Sequence, residues 1–248
     1  MKTKKTGKTM RVAGLLLALV LVTSCFVGGT FAKYVTSGTG ADHARVAMWG
    51  VKVTAHGEGD IFASTYDQIA GQENTVVAGG EYKVIAPGTK KENAAVVYLS
   101  GKPEVKVKVT YNADSFALTG KWVAKNAQTN SEEYYCPLTF KITDGTTTKT
   151  IDCMGDGMNS VDDVKNAVKN AVESFSATYA PNTDLSTKGN EGLKISWEWP
   201  FEGDAAHPKQ TDVKDTYLGD LATTTDPASV NTIPAVYVVV TATVTQVD

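Results

Sequence analysis

The residues able to do metal chemistry are few and scattered along this chain. There are three histidines, His43, His56 and His207. None belongs to an H-E-x-x-H, the spacing that sets two imidazoles one helical turn apart with a glutamate base between them. His43 lies in a polar stretch near the start, and His56 and His207 lie in Gly-rich or Pro-flanked segments, where exposed loop histidines are common. Nucleophile signatures are also missing. There is no G-x-S-x-G, and Cys136 or Cys153 with a distant histidine is generic. Gly79-Gly80 and Gly155-Asp156-Gly157 are turn glycines, with no G-x-x-x-x-G-K-[ST] to cradle a phosphate. The best cation candidates are Asp152, Asp156 and Asp163, which echo the first, fifth and twelfth places of a calcium loop. Met154 offers no oxygen at the third place, and a turn feeding a helix explains the same residues. Trp197 and Trp199 alternate along one face of a strand, as either buried core or a sugar-stacking platform, and core is the commoner use of such a pair. No cofactor site emerges, and the chain reads as a non-enzyme.

The elements that hold these residues are mostly of period two. Val105 to Tyr111 alternates valine and tyrosine with lysine and threonine, as a strand with one face on a core and one in water requires. Further strands are expected from Val46 to Val53, Ala94 to Ser100, Ala117 to Val123, Leu138 to Ile142, Thr148 to Ile151 and Leu193 to Trp199. The turn Asp144-Gly145 joins two of them. The β-branched run Val236 to Val244 reads as a central strand. One segment breaks the pattern: Val161, Val164, Val168, Ala171, Val172, Phe175 and Tyr179 fall at helical spacing. Ser160 with Asp163 resembles a capping box, Asp162 and Asp163 suit the positive end of the helix dipole, and Pro181 follows the end. The spacing therefore predicts one amphipathic helix over about 160–179, inserted in a mainly β, antiparallel sandwich, with Gly203–Pro234 as a long loop.

The start of the chain has three parts: a basic head (Lys2, Lys4, Lys5, Lys8, Arg11), an apolar run from Val12 to Val22, and the small-residue exit Gly28-Gly29-Thr30-Phe31-Ala32. That is the order of a secretory signal peptide, and eleven apolar residues fall short of the roughly 20 that span a bilayer. Cleavage is expected between Ala32 and Lys33; Val22-Thr23-Ser24-Cys25 is a poorer, lipobox-like rival. Contact with the membrane is expected only through this peptide before its removal. The chain then divides into 1–32, an extended segment 33–43, and a domain 44–248. The whole chain has 24 basic and 27 acidic side chains; without the five basic residues of the peptide the balance is 19 against 27, formally −8. Such a balance argues against nucleic acid, whose binding rests on basic residues neutralising phosphates. Cys136 and Cys153, 17 positions apart, remain after export, either as a disulfide or as two buried thiols.

Several short motifs occur in one order. Thr30-Phe31-Ala32-Lys33-Tyr34 is similar to the exit of precursors cut by SipW-type signal peptidases. Ala44-Arg45-Val46-Ala47-Met48-Trp49-Gly50-Val51, Ala86-Pro87-Gly88-Thr89 and Ser100-Gly101-Lys102-Pro103-Glu104-Val105 follow. Trp197-Glu198-Trp199-Pro200, Asp215-Thr216-Tyr217-Leu218-Gly219 and Val244-Thr245-Gln246-Val247-Asp248 complete the set. Together these resemble the clostridial branch of the TasA/camelysin family of secreted Gram-positive matrix proteins. The resemblance implies a jelly-roll-like sandwich in the extracellular matrix or at the cell surface. It implies processing by a SipW-type signal peptidase, and head-to-tail self-association into biofilm fibres by donor-strand exchange. The donor would be Lys33, Tyr34, Val35, Thr36 and Ser37, with Gly38-Thr39-Gly40 as hinge; a disordered mature terminus is the other reading of 33–43. Camelysin-type relatives also carry a metallopeptidase label. A secreted peptidase and a monomeric surface adhesion module are therefore the competing functions.

Overall fold

The computed structural model describes residue 16 and residues 45–55, 61–62, 67–68, 83–201, 209–223 and 233–247. The chain falls into two units, Met1–Met48 and Trp49–Asp248. Of the first, Leu16 and residues 45–48 are described, so the signal segment, the cleavage pair Ala32 and Lys33, the donor residues Lys33–Ser37 and His43 lie outside the described residues. His56 and His207 in the second unit lie outside them too.

The second unit is an antiparallel β-sandwich. Its larger sheet contains β1 (Val51–Ala55), β2 (Asp67–Gln68), β3 (Thr89–Gly101), β8 (Thr139–Thr143), β9 (Thr148–Asp152) and β11 (Gly192–Trp199). Their order is β1-β3-β11-β8-β9, and β2 pairs β3 on the same margin as β1. The smaller sheet is β10 (Ala177–Tyr179), β4 (Val107–Asn112) and β13 (Thr241–Gln246), with β4 in the middle. As a separate two-stranded sheet, β5 (Ala117–Thr119) pairs β12 (Ala235–Tyr237). The hairpin of β6 (Val123–Lys125) and β7 (Glu132–Tyr134) stands apart. Two helices complete the unit, α1 (Val161–Glu173) and α2 (Asp212–Thr223).

The period-two segments form strands for the expected reason. In β4, Val107, Val109 and Tyr111 are buried, while Lys108 and Asn112 face water. Val109 and Tyr111 share one buried apolar core with Leu99, Phe140, Ile142, Leu193, Ile195 and Trp197 of the larger sheet. At about 25 cal/mol per Å² of apolar surface, this interlocked burial is what holds the layers together. Gly192 opens β11 at φ +112°, and a Cβ there would collide with the carbonyl oxygen of Val97, so the strand entry requires glycine.

Several elements differ from the sequence reading: the strand expected from Val46 begins at Val51, and Ala117–Val123 is divided between β5 and β6 in different sheets. Helix α1 stops at Glu173 rather than near 179: Phe175 and Ser176 turn back to the carbonyls of Val172 and Glu173, and Ala177–Tyr179 pairs β4 as a strand. The stretch 203–234, read as loop, contains α2. Val236–Val244 is divided between β12 and β13, and β13 is at the margin of its sheet with an exposed–half-buried alternation, not at the centre. β-Branched runs suit a margin as well as a centre, because propensity reports fit to a pleated surface and not position in the sheet.

Candidate functional site

In the two larger sheets, four described strands of three or more residues stand at the margins: β1, β9, β10 and β13. A marginal strand presents N–H and C=O groups that another strand can satisfy, and charge, shortness or cover normally guards it. β10 has three residues; β1 carries Lys52; β9 carries Lys149 and Asp152 and has α1 packed against it. β13 is six residues long, Thr-Ala-Thr-Val-Thr-Gln, with neither a charge nor a proline. It is the unguarded margin among these four.

The ladder register shows which groups β13 offers. The Val247 N–H donates to the Lys106 carbonyl at 3.0 Å, so Val247 and Lys106 form a hydrogen-bonded pair. In an antiparallel ladder such pairs alternate with pairs whose backbone groups point away from each other. Thr245, Thr243 and Thr241 thus turn their backbone groups toward β4, opposite Lys108, Thr110 and Asn112. Ala242 and Val244, opposite Tyr111 and Val109, turn theirs outward, where no strand of the described residues receives them. Their side chains are half-buried and packed on the core, and the threonines are exposed on the opposite face. Next to this margin Tyr237 and Val239 remain 48% and 46% exposed.

A second concentration of chemistry lies under α2. Asp215 is buried, and its Oδ1 accepts from the Tyr135 hydroxyl at 2.7 Å and the Trp199 Nε1–H at 3.2 Å. Its Oδ2 is buried without a partner, as is Oε1 of Gln210, whose amide donates to the Pro137 carbonyl at 3.2 Å. Burial pushes the Asp215 carboxyl up to about 6, against the pull of its two donors. Burial and the adjoining carboxylate also hold Tyr135 above the ordinary phenol range. Around this centre Lys214 pairs with Glu133 at 2.9 Å, and the Tyr217 hydroxyl donates to Glu132 at 2.9 Å. The set resembles an acid–base pair in composition, but both members are buried among the described residues. Its work is to seat the helix. Spacing gave no sign of it, because Tyr135 and Asp215 are 80 positions apart.

The remaining candidates resolve locally. Asp163 completes a capping box: its N–H donates to Ser160 Oγ at 3.2 Å, and its Oδ2 accepts from Ser160 Oγ at 2.8 Å and the Asn159 N–H at 3.1 Å. Asp152 accepts from the Met154 N–H at 2.8 Å, and Asp156 is exposed. These carboxylates close a turn and start α1, and among the described residues no group of three or more acidic, histidine or cysteine side chains could hold a metal. Trp197 and Trp199 are core: the Trp197 Nε1–H donates to the Ile61 carbonyl at 2.9 Å, and its ring lies 5.8 Å from that of Phe62. Cys136 and Cys153 are fully buried thiols side by side, and burial, then the neighbouring Cys136, raises Cys153 well above its ordinary value. A groove on the larger sheet is lined by Lys90, Glu92, Lys141, Ser196 and Glu198. Its charges are matched, Lys90 to Glu92 at 2.8 Å and Lys141 to Glu198 at 3.1 Å. No described helix is long and apolar enough to cross a membrane. Comparison with protein-family models, with curated proteins and with solved structures finds no match to this chain.

Proposed function

We propose that this is a secreted, non-enzymatic structural protein of the extracellular matrix or cell surface, whose copies join head to tail into fibres. The observation that carries the reading is the margin of β13: long, uncharged, free of proline, with the backbone groups of Ala242 and Val244 directed outward. An extended peptide can add itself to such a margin through main-chain hydrogen bonds alone. The segment Lys33–Ser37, freed by cleavage after Ala32, is the proposed donor, and repetition of a contact that does not close on itself grows a filament. The processing enzyme in this reading is a SipW-type signal peptidase.

Val244→Pro tests the acceptor. The Val244 N–H faces away from β4, so proline removes an outward donor without breaking a ladder bond. The exported form should assemble into filaments visible by electron microscopy. The proline variant and a variant lacking Lys33–Ser37 should both stay monomeric, with circular dichroism unchanged. Filaments formed equally well by both variants would refute strand addition at this margin.

A further inference from the structure

The two cysteines have a setting that the sequence leaves open. Cys136 and Cys153 are both free and fully buried, close enough that Cys136 helps burial raise the Cys153 thiol above its ordinary value. Three further contacts tie the same two stretches of chain. The Cys153 N–H donates to the Leu138 carbonyl at 3.0 Å, one step beyond the β8–β9 ladder. The Cys136 N–H points to Met154 Sδ at 3.1 Å, and the Tyr134 hydroxyl donates to the Cys153 carbonyl at 3.1 Å. Residues 134–138 and 153–154 are therefore held in register, with one cysteine in each of the two stretches.

These stretches are also where α2 is seated. Tyr135 binds Asp215, the Pro137 carbonyl receives Gln210, and the Met154 carbonyl receives Lys209 Nζ at 2.7 Å. Each of these partners is adjacent in sequence to Cys136 or Cys153. A covalent bond between the sulfurs would fix the distance between the two halves of the seat.

We propose that Cys136 and Cys153 oxidise to an intramolecular disulfide that locks together the two chain segments on which α2 rests. The oxidant is a disulfide, either oxidised glutathione or a disulfide-exchange protein. One cysteine, as thiolate, attacks the oxidant's S–S bond, which breaks to release one thiol and leave a mixed disulfide. The second thiolate displaces the other half. One Sγ–Sγ bond is formed, two electrons pass to the oxidant, and the two protons leave with its two thiols. Because burial keeps Cys153 protonated in the folded protein, exchange takes place while the β8–β9 hairpin is still open, during folding. The pairing is independent of whether copies assemble.

The test uses the full chain carrying Cys25→Ser, so that only this pair can react. It is unfolded and then refolded in a glutathione redox buffer. The expected product is a monomer about 2 Da lighter than the reduced protein, with no thiol titratable after denaturation and with the peptides of Cys136 and Cys153 joined. Its melting temperature should rise by about 5 °C over the reduced form, and amide exchange across Asp212–Thr223 should slow by about tenfold or more. A variant that also carries Cys136→Ser and Cys153→Ser should melt identically with and without reductant. Recovery of a folded monomer with both thiols free, or of disulfides between chains, would overturn the pairing. A disulfide that forms but leaves exchange in α2 unchanged would overturn the lock, as would a redox-dependent shift that persists in the serine variant.

Discussion

Asp215 is the described side chain whose charge the fold accommodates worst, with one oxygen held by Tyr135 and Trp199 and the other buried without a partner. Its folded-state value of about 6 lies above the ordinary 3.8, so the folded protein holds this proton more tightly than the unfolded chain does. Its contribution is therefore fully present below about pH 4 and is lost as pH rises through 6. Glu92, Glu133 and Asp163 are lowered, by Lys90, Asn126 and Ser160 respectively, and their contributions run the other way, fading as pH falls. Asp215→Asn should isolate the first effect. The difference in unfolding free energy between variant and parent, measured by urea denaturation from pH 4 to pH 8, should move in the variant's favour by about 1–2 kcal/mol. A flat difference would mean that Asp215 does not titrate in this range. Trp197→Ala should cost about 3–5 kcal/mol, since it empties the centre of the core and strands the Ile61 carbonyl. The tryptophan's place was legible in the sequence because period two puts it on one face with Ile195. Asp215 was not, because a carboxylate in a polar, glycine-containing stretch has the same signature exposed or buried.

At the scale of elements, the start of α1 was readable and its end was not. Ser160 and Asp163 satisfy the first orphan amides as the capping box requires, so Ser160→Ala should destabilise by about 1 kcal/mol, measured by thermal or urea unfolding. Phe175 and Tyr179 continue the helical spacing by coincidence: Tyr179 is placed by its pairing with Val107, a long-range contact that overrides local periodicity. The second helix had no apolar stripe to reveal it. Leu218 is its one buried apolar residue, Val213 is 76% exposed, and polar bonds from Asp215, Lys214 and Tyr217 hold it. The seven-residue alternation that located β4 worked because Val107, Val109 and Tyr111 are buried while the residues between them are exposed or half-buried. For β13 the same logic identified a strand, but its neighbours decide how many sides are paired, and those neighbours are not local in sequence. Gly192→Ala should cost about 2–3 kcal/mol, because φ +112° and the Val97 carbonyl both exclude a side chain. A drop in melting temperature with unchanged secondary structure checks it.

For the molecule as a whole, charge opposes association. Without residues 1–32, as in the proposed exported form, the chain carries a formal −8, from 19 basic and 27 acidic residues, so such copies repel at low ionic strength. Screening shortens that repulsion from about 30 Å at 0.01 M salt to about 8 Å at 0.15 M. Filament growth, followed by light scattering, should therefore accelerate as salt is raised over this range; slowing would point to contacts made by opposite charges. β13 has a further consequence for any chain that docks there. Its residues Thr241, Thr243 and Thr245 are identical, and Ala242 and Val244 differ by two methyl groups. Sliding a visitor by two positions restores the same bonding and the same facing, so neighbouring seats are close in energy. Fibres assembled on such a rail would share one joint chemistry yet differ in subunit spacing by increments of about 7 Å, a polymorphism encoded by repetition in five residues.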